Sequence, residues 1–215
     1  RPKRRTKAAI AKEKGLEPLA EKIFSQTKID TATEAAPFVN EEKGVASAAE
    51  ELAGARDIIA EWVNEDEKTR GAMRSFFASH GTFRSKVVPG KEEEGGKFRD
   101  YFDWEEPVTK APSHRVLALR RGEHEGVLSL RVMPPEDEAV ASVEALFVKG
   151  DGDASQQVKM AVHDAYKRLL SLSMETEIRL ETKKRADEEA IRVFNENLRQ
   201  LLLAPPLGQK NLMAI

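Results

Sequence analysis

The sequence predicts a mainly α protein: a multi-helix scaffold with helix-turn-helix-like helices, a small β element in the middle and a long C-terminal helix. Apolar residues recur at spacings of three and four from Ala48 to Trp62, and a second, longer stripe runs from Met174 to Leu201 with one gap of eight between Ile178 and Ala186. That is the period of a helix with one buried face. Strict alternation is confined to VLSLRVM, where Leu128, Leu130 and Val132 alternate with Ser129 and Arg131, the pattern of a half-buried strand. Charged residues make up 33% of the 215 positions and mean hydropathy is -0.53, so the helical faces off the stripes are solvated.

The elements follow in order. RRTKAAIAKEKG and LEPLAEKIFSQ read as two short helices, with Gly15 stopping the first and Pro18 in the opening turn of the second. Leu16, Leu19, Ile23 and Phe24 then face a core. In ASAAEELAGARDIIAEWVNED the stripe runs through Ala48, Leu52, Ala55, Ile59 and Trp62. EDEKTRGAMRSFFASHG repeats the device with Met73, Phe76 and Phe77, acidic residues at its start and Gly81 past its end. TFRSKVV and KFRDYFDW read as two β runs flanking PGKEEEGG, a small hairpin with a solvated loop. Ser113 is the expected N-cap of HRVLALRRG, a helix of about two turns ending near Gly122.

Pro134 and Pro135 end the alternating strand. Val158, Val162, Ala165, Tyr166 and Leu169 form one stripe; after SLS a second passes through Met174, Ile178, Ala186, Ala190, Phe194, Leu198 and Leu201. As one helix, residues 173–203 would be about 45 Å long at roughly 1.5 Å per residue, with Pro205 and Pro206 as its stop. The expected organisation is a helical region at 1–88, helix-turn-helix-like; a small α+β insert at 89–150; a helical pair with a long connecting helix at 151–206; and a short strand at 207–215.

Several function classes are set aside by composition. With 35 basic against 37 acidic residues the chain as a whole is no polyanion binder, so any nucleic-acid footprint must be local. No apolar stretch approaches the roughly 20 residues of a membrane span. There are no cysteines, which excludes disulfides, thiolate metal sites and a cysteine nucleophile, and the expected location is cytoplasmic. G-x-S-x-G, Walker and H-E-x-x-H motifs are absent. KGDGDAS has Ser155 where a dinucleotide loop needs its third glycine, and Val162 where a calcium loop needs its bidentate Glu. His80, His114, His124 and His163 stand singly. The expectation is no catalytic residue, no metal and no cofactor.

Two basic clusters carry the remaining chemistry. Lys3, Arg4, Arg5 and Lys7 could neutralise phosphates, each contact releasing counterions. Arg115, Arg120 and Arg121 form a second candidate, although Arg115 and Arg121 are six apart and do not obviously share a helix face. Phe24, Phe76, Phe77 and Phe194 sit in amphipathic stripes and read as core, whereas Tyr101, Phe102 and Trp104 could stack bases.

Four ordered blocks, PKRRTKAAIAKEKGLEPLA, KFRDYFDWEEP, PSHRVLALRRGEHEGVL and RADEEAIRVFNENLRQLLLAPPLGQKNLMAI, closely resemble the bacterial Tex family of transcription accessory proteins. The resemblance implies a multi-domain nucleic-acid-binding protein acting in transcription or RNA metabolism. In that family the last block leads into a YqgF domain of ribonuclease-H-like fold, then helix-hairpin-helix elements and an OB-fold RNA-binding domain. On this reading residues 207–215 begin the YqgF domain, and the chain is a scaffold fragment that positions RNA- or DNA-binding modules. Its expected partners are nucleic acid, engaged mainly through domains outside this chain, and the transcription machinery. The rival reading is a protein-interaction module docking on the transcription or translation machinery.

Overall fold

In a computed structural model, residues 5–38, 47–205 and 208 are described. The fold is mainly helical with one three-stranded sheet and a long last helix, as the periodicities predicted. By packing, the chain divides into two compact units: residues 1–84, 105–109 and 131–178, and residues 85–104, 110–130 and 179–215.

The first unit is built around α4 (Ala48–Glu65), which packs against α1 (Lys7–Glu13), α2 (Glu17–Ser25) and α3 (Thr31–Ala35). Gly15 ends α1 at φ +84°, and the amides of Gly15 and Leu16 return to the carbonyls of Lys12 and Ala11 at 2.9 and 3.2 Å. This closing turn requires a left-handed residue, which glycine supplies without a Cβ penalty. It delivers Leu16 to the core beside Leu19 and Ile23. Phe24 is half-buried, its ring edge-on to Trp62 with centroids 5.5 Å apart.

The buried face of α4 differs from the predicted stripe. Ala55 and Ile59 are buried as expected, but Ile58 and Val63 join them while Ala48 and Leu52 stay half-exposed. The helix packs on several neighbours, so its apolar arc is wider than one stripe. Glu51 is drawn into the same face, and both its carboxylate oxygens are buried without a hydrogen-bond partner among the described residues. Burial pushes its carboxyl upward.

Asp66 begins α5 (Glu67–His80) by accepting from the backbone amide and the hydroxyl of Thr69, both at 2.8 Å. Met73 and Phe77 are buried; Phe76 instead lies half-exposed and stacked on His80. α7 (Glu136–Phe147) and α8 (Asp153–Ala165) complete this unit with the start of α9 (Ser171–Leu203).

The sheet has the order β2-β1-β3, with β1 at Thr82–Val87, β2 at Asp103–Pro107 and β3 at Leu128–Met133. β1 and β2 pair as a hairpin. The predicted second strand is corrected, however: Gly96–Tyr101 forms a 3-10 turn, and the strand begins only at Asp103. The inward positions are Phe98 and, half-buried, Tyr101, three apart with Arg99 and Asp100 exposed between them, which is the period of a 3-10 turn. In β3, Leu128, Leu130 and Val132 are buried while Ser129 and Arg131 are exposed, as predicted.

α6 (Ser113–His124) corrects two further expectations. Its N-cap is Pro112, and the Ser113 hydroxyl donates to Glu189 rather than capping the helix. The helix also runs through Gly122 to a stop at Gly126, where φ is +72° and the amides of Gly126 and Val127 bond Glu123 and Gly122 carbonyls at 3.0 Å. Gly122 is interior because Leu128 and Phe98 lie where its Cβ would be.

The SLS stretch does not break the C-terminal helices. A π-helical turn at Tyr166–Leu170 joins α8 to α9, and Ser171 donates to the Lys167 carbonyl at 3.2 Å. Serine satisfied in this way is tolerated inside a helix. Along α9, Met174, Ile178 and Ala186 are buried, whereas Ala190, Phe194, Leu198 and Leu201 of the same predicted stripe are exposed. Residue 207 and residues 209–215 lie outside the described residues, and with them the expected strand.

Candidate nucleic-acid interface

Of the first basic cluster, Lys3 and Arg4 lie outside the described residues. Arg5 stands one residue before Thr6, the N-cap of α1, and forks onto Glu13 with its Nη2 at 2.7 and 2.8 Å from the two carboxylate oxygens. Both side chains are more than half exposed, so the pair is an open one. Lys7 and Lys14 line a cleft of about 310 Å³ between α1 and α4, together with Glu50 and Asp57. Lys12 lies 3.4 Å from Glu17 and 3.8 Å from Glu61. The α1 cations are thus interleaved with acids.

Sequence spacing gave no sign of the charge cluster behind that cleft. Arg168, in the π-helical turn, reaches Asp57 on α4 at 2.9 Å and Asp164 on α8 at 2.5 Å. Burial pushes the Asp57 carboxyl up against the opposing pull of Arg168 and Lys7. Its bond to Asp164 raises Arg168. Arg168 is 4 residues from Asp164 but 111 from Asp57, so only packing brings Asp57 to the other two.

In the second unit the α6 arginines point different ways. Arg115 is half-buried. Arg120 is held by Glu123 at 2.7 Å with its side chain 24% exposed; Arg121 is 72% exposed and bonds Glu125 at 3.0 Å. Glu125 also receives Lys97 at 2.6 Å, and these two cations hold its carboxyl below the ordinary glutamate range. A groove of about 420 Å³ runs between α6 and the Gly96–Tyr101 turn, lined by Lys97, Phe98, Tyr101, His114, Leu117 and Arg121, with Ala118. Tyr101 is half-exposed and braced edge-on by Trp104, centroids 5.8 Å apart at 83°.

Among the described residues, Arg121 is therefore the one predicted site residue that meets an aromatic and a second cation in a groove. The sequence signal was present in Lys97, Phe98 and Tyr101, spaced as on a helical turn. Reading KFRDY as a strand dispersed them over two faces.

Among the described residues no group of three or more His, Asp or Glu is placed to hold a metal. His163 instead pairs with Glu144 at 2.5 Å, and His80 with Ser79 at 2.7 Å. No described helix is long and apolar enough to cross a membrane.

The family described as Tex central region-like matches residues 26–194. Protein tex of Bordetella pertussis is 39% identical over 100% of this chain, which covers 29% of that protein. Transcriptional accessory protein Tex of Neisseria gonorrhoeae is 39% identical over 97% of the chain, covering 28% of that relative. A more distant relative, S1 RNA-binding domain-containing protein 1 of Homo sapiens, is 26% identical over 98% of the chain and is covered for 22% of its length. The chain spans less than a third of the length of each of these relatives.

Proposed function

The chain belongs to the Tex family, and on that premise we propose that it is a helical scaffold of a nucleic-acid-binding transcription accessory protein, positioning RNA- or DNA-binding modules and adding phosphate contacts of its own. Two relatives carry the functional part of this reading in their names, one as a transcriptional accessory protein and one as an S1 RNA-binding domain protein.

The structural observation that carries it is the unbroken helical run from Asp153 to Leu203, whose residues from Glu188 to Leu203 are all exposed. α9 alone has 33 residues, about 50 Å at roughly 1.5 Å per residue. Such a helix is a stiff spacer, long enough to set the separation of two modules. In this reading Lys3, Arg4, Arg5 and Lys7 neutralise phosphates, and Arg115, Arg120 and Arg121 do the same, Arg121 foremost because it faces outward.

Fluorescence anisotropy against labelled single-stranded RNA, single-stranded DNA and duplex DNA at two salt concentrations tests the proposal. Binding that weakens steeply with salt is the expected result. No binding at low salt would leave the chain without phosphate contacts of its own.

A second reading, a docking module for the transcription machinery, draws on one observation. Ile191, Phe194, Leu198, Leu201, Leu202 and Leu203 of α9 are exposed together. Capture of transcription proteins that survives nuclease treatment would favour it.

A further inference from the structure

We propose that the groove between α6 and the Gly96–Tyr101 turn binds a single-stranded polynucleotide, with a base stacked on Tyr101 and phosphates paired to Lys97 and Arg121. The inference rests on the nucleic-acid reading above and deepens it by naming the site and the form of nucleic acid.

Three features of the groove select this ligand. Its lining holds two cations and no carboxylate. Lys97 and Arg121 are 55% and 72% exposed, and the acid that bonds both, Glu125, leaves the trio with one net positive charge. A phosphate entering the groove meets donors that are already ordered, since each is tethered to the same carboxylate.

The aromatic is the second feature. Trp104 fixes the Tyr101 ring while leaving it half-exposed, as a stacking platform requires. Leu117 and the buried ring of Phe98 extend the apolar floor, and Lys97 lies over that ring at 5.1 Å. Alternating aromatic and cationic contacts are how single strands are held without sequence preference.

Shape is the third. In a duplex the base faces are already stacked and cannot reach a recessed ring, whereas an unpaired base can. At about 420 Å³ the groove falls within the roughly 300–1,000 Å³ of ordinary ligand clefts.

The test uses the whole chain and fluorescein-labelled oligo-U, oligo-dT and a duplex of equal length. The two single strands separate RNA from DNA as the source, and both should bind more tightly than the duplex. Lys97→Glu with Arg121→Glu should weaken single-strand binding at least tenfold at low salt and lower the salt slope by about 1.4, at ~0.7 per phosphate lost. Tyr101→Leu should weaken binding about fivefold with the slope unchanged, because stacking releases no counterions. Glu125→Gln should tighten it by freeing both cations.

Lys97→Gln with Arg121→Gln serves if the charge reversals fail to fold, and Lys22→Glu with Lys28→Glu, at exposed lysines with no assigned contact to nucleic acid, is the comparison elsewhere on the surface and should leave binding within twofold of wild type. Single-strand binding that stays within twofold of wild type in the Lys97, Arg121 and Tyr101 variants would overturn the groove assignment and leave the nucleic-acid reading standing. Preference for the duplex would overturn the assignment likewise. Failure of the wild-type chain to bind any probe at low salt would overturn both.

Discussion

The carboxylate of Glu175 receives Arg131: Nε of Arg131 lies 2.9 Å from Oε1, and the backbone amide of Val132 reaches that oxygen at the same distance. β3 is an edge strand of its sheet, and an edge leaves backbone donors and acceptors open. Glu175, nearly buried on α9, closes one of them. One turn later, Arg179 donates to the Leu130 carbonyl at 3.1 Å and pairs with Glu123. Side chains of a helix thereby finish a strand edge.

Removing Glu175 tests that closure. Glu175→Ala strands the buried Val132 amide, while the exposed Arg131 turns to water, and should cost about 1–3 kcal/mol. Glu175→Gln keeps an acceptor and should cost less than half as much. Urea unfolding reads both, with midpoints that fall at an unchanged slope.

Gly122 lies inside α6, where alanine would ordinarily gain up to about 1 kcal/mol of helix propensity. Its added Cβ, however, would meet Leu128 Cδ1 at 2.6 Å, Leu128 Cγ at 2.9 Å and Phe98 Cδ1 at 3.2 Å. Overpacking of this kind costs about 1–3 kcal/mol, so the penalty wins. A lower melting temperature for Gly122→Ala is expected, and a rise would show that Leu128 moves aside freely.

Asp66 gives a pH signature. Its bonds to the Thr69 amide and hydroxyl hold the carboxyl below the ordinary aspartate value of 3.8. The unfolded chain therefore takes up this proton first on acidification. The stability is present above about pH 4 and is lost as pH falls through the folded value. Asp66→Ala should cost about 1 kcal/mol at neutral pH, and Asp66→Asn should flatten the acid limb while keeping most of the cap. Thermal melts between pH 2 and 7 check it.

Tyr166 works in the opposite range. Its hydroxyl is buried without a hydrogen-bond partner among the described residues. Burial first, and then the nearby Glu136 charge, push it up to about 12 from 10.0. The folded chain keeps this proton longer than the unfolded one, so stability should fall as pH rises from about 10 toward 12. Absorbance titration should show one tyrosine ionising late. Tyr166→Phe, which removes an unsatisfied hydroxyl, should be neutral or stabilising by up to ~1 kcal/mol.

Local signals were the legible ones. Gly15 announced the end of α1 because only a residue without Cβ adopts its backbone at no cost. The alternation of Leu128, Leu130 and Val132 announced β3, and the apolar spacings announced α4, α5, α8 and α9. Helix and strand periods are properties of neighbouring residues, and the chain carries them wherever it folds. The KFRDY turn was misread because five residues with one buried ring fit either period.

Arg120 and Arg121 show where sequence stops: adjacent and alike in charge, one is held by Glu123 at 24% exposure and the other stands out at 72%. Which face of α6 meets a neighbour decides that difference. Spacing likewise could not have shown that Lys97 and Arg121 share Glu125, or that Arg168 joins Asp57 to Asp164. By itself the sequence determined most of the helices, the alternating strand and the family, since these rest on local periods and on residues in fixed order. The tertiary structure alone decided which charges are paired and which remain open, because burial and Coulomb contacts depend on groups far apart in the chain.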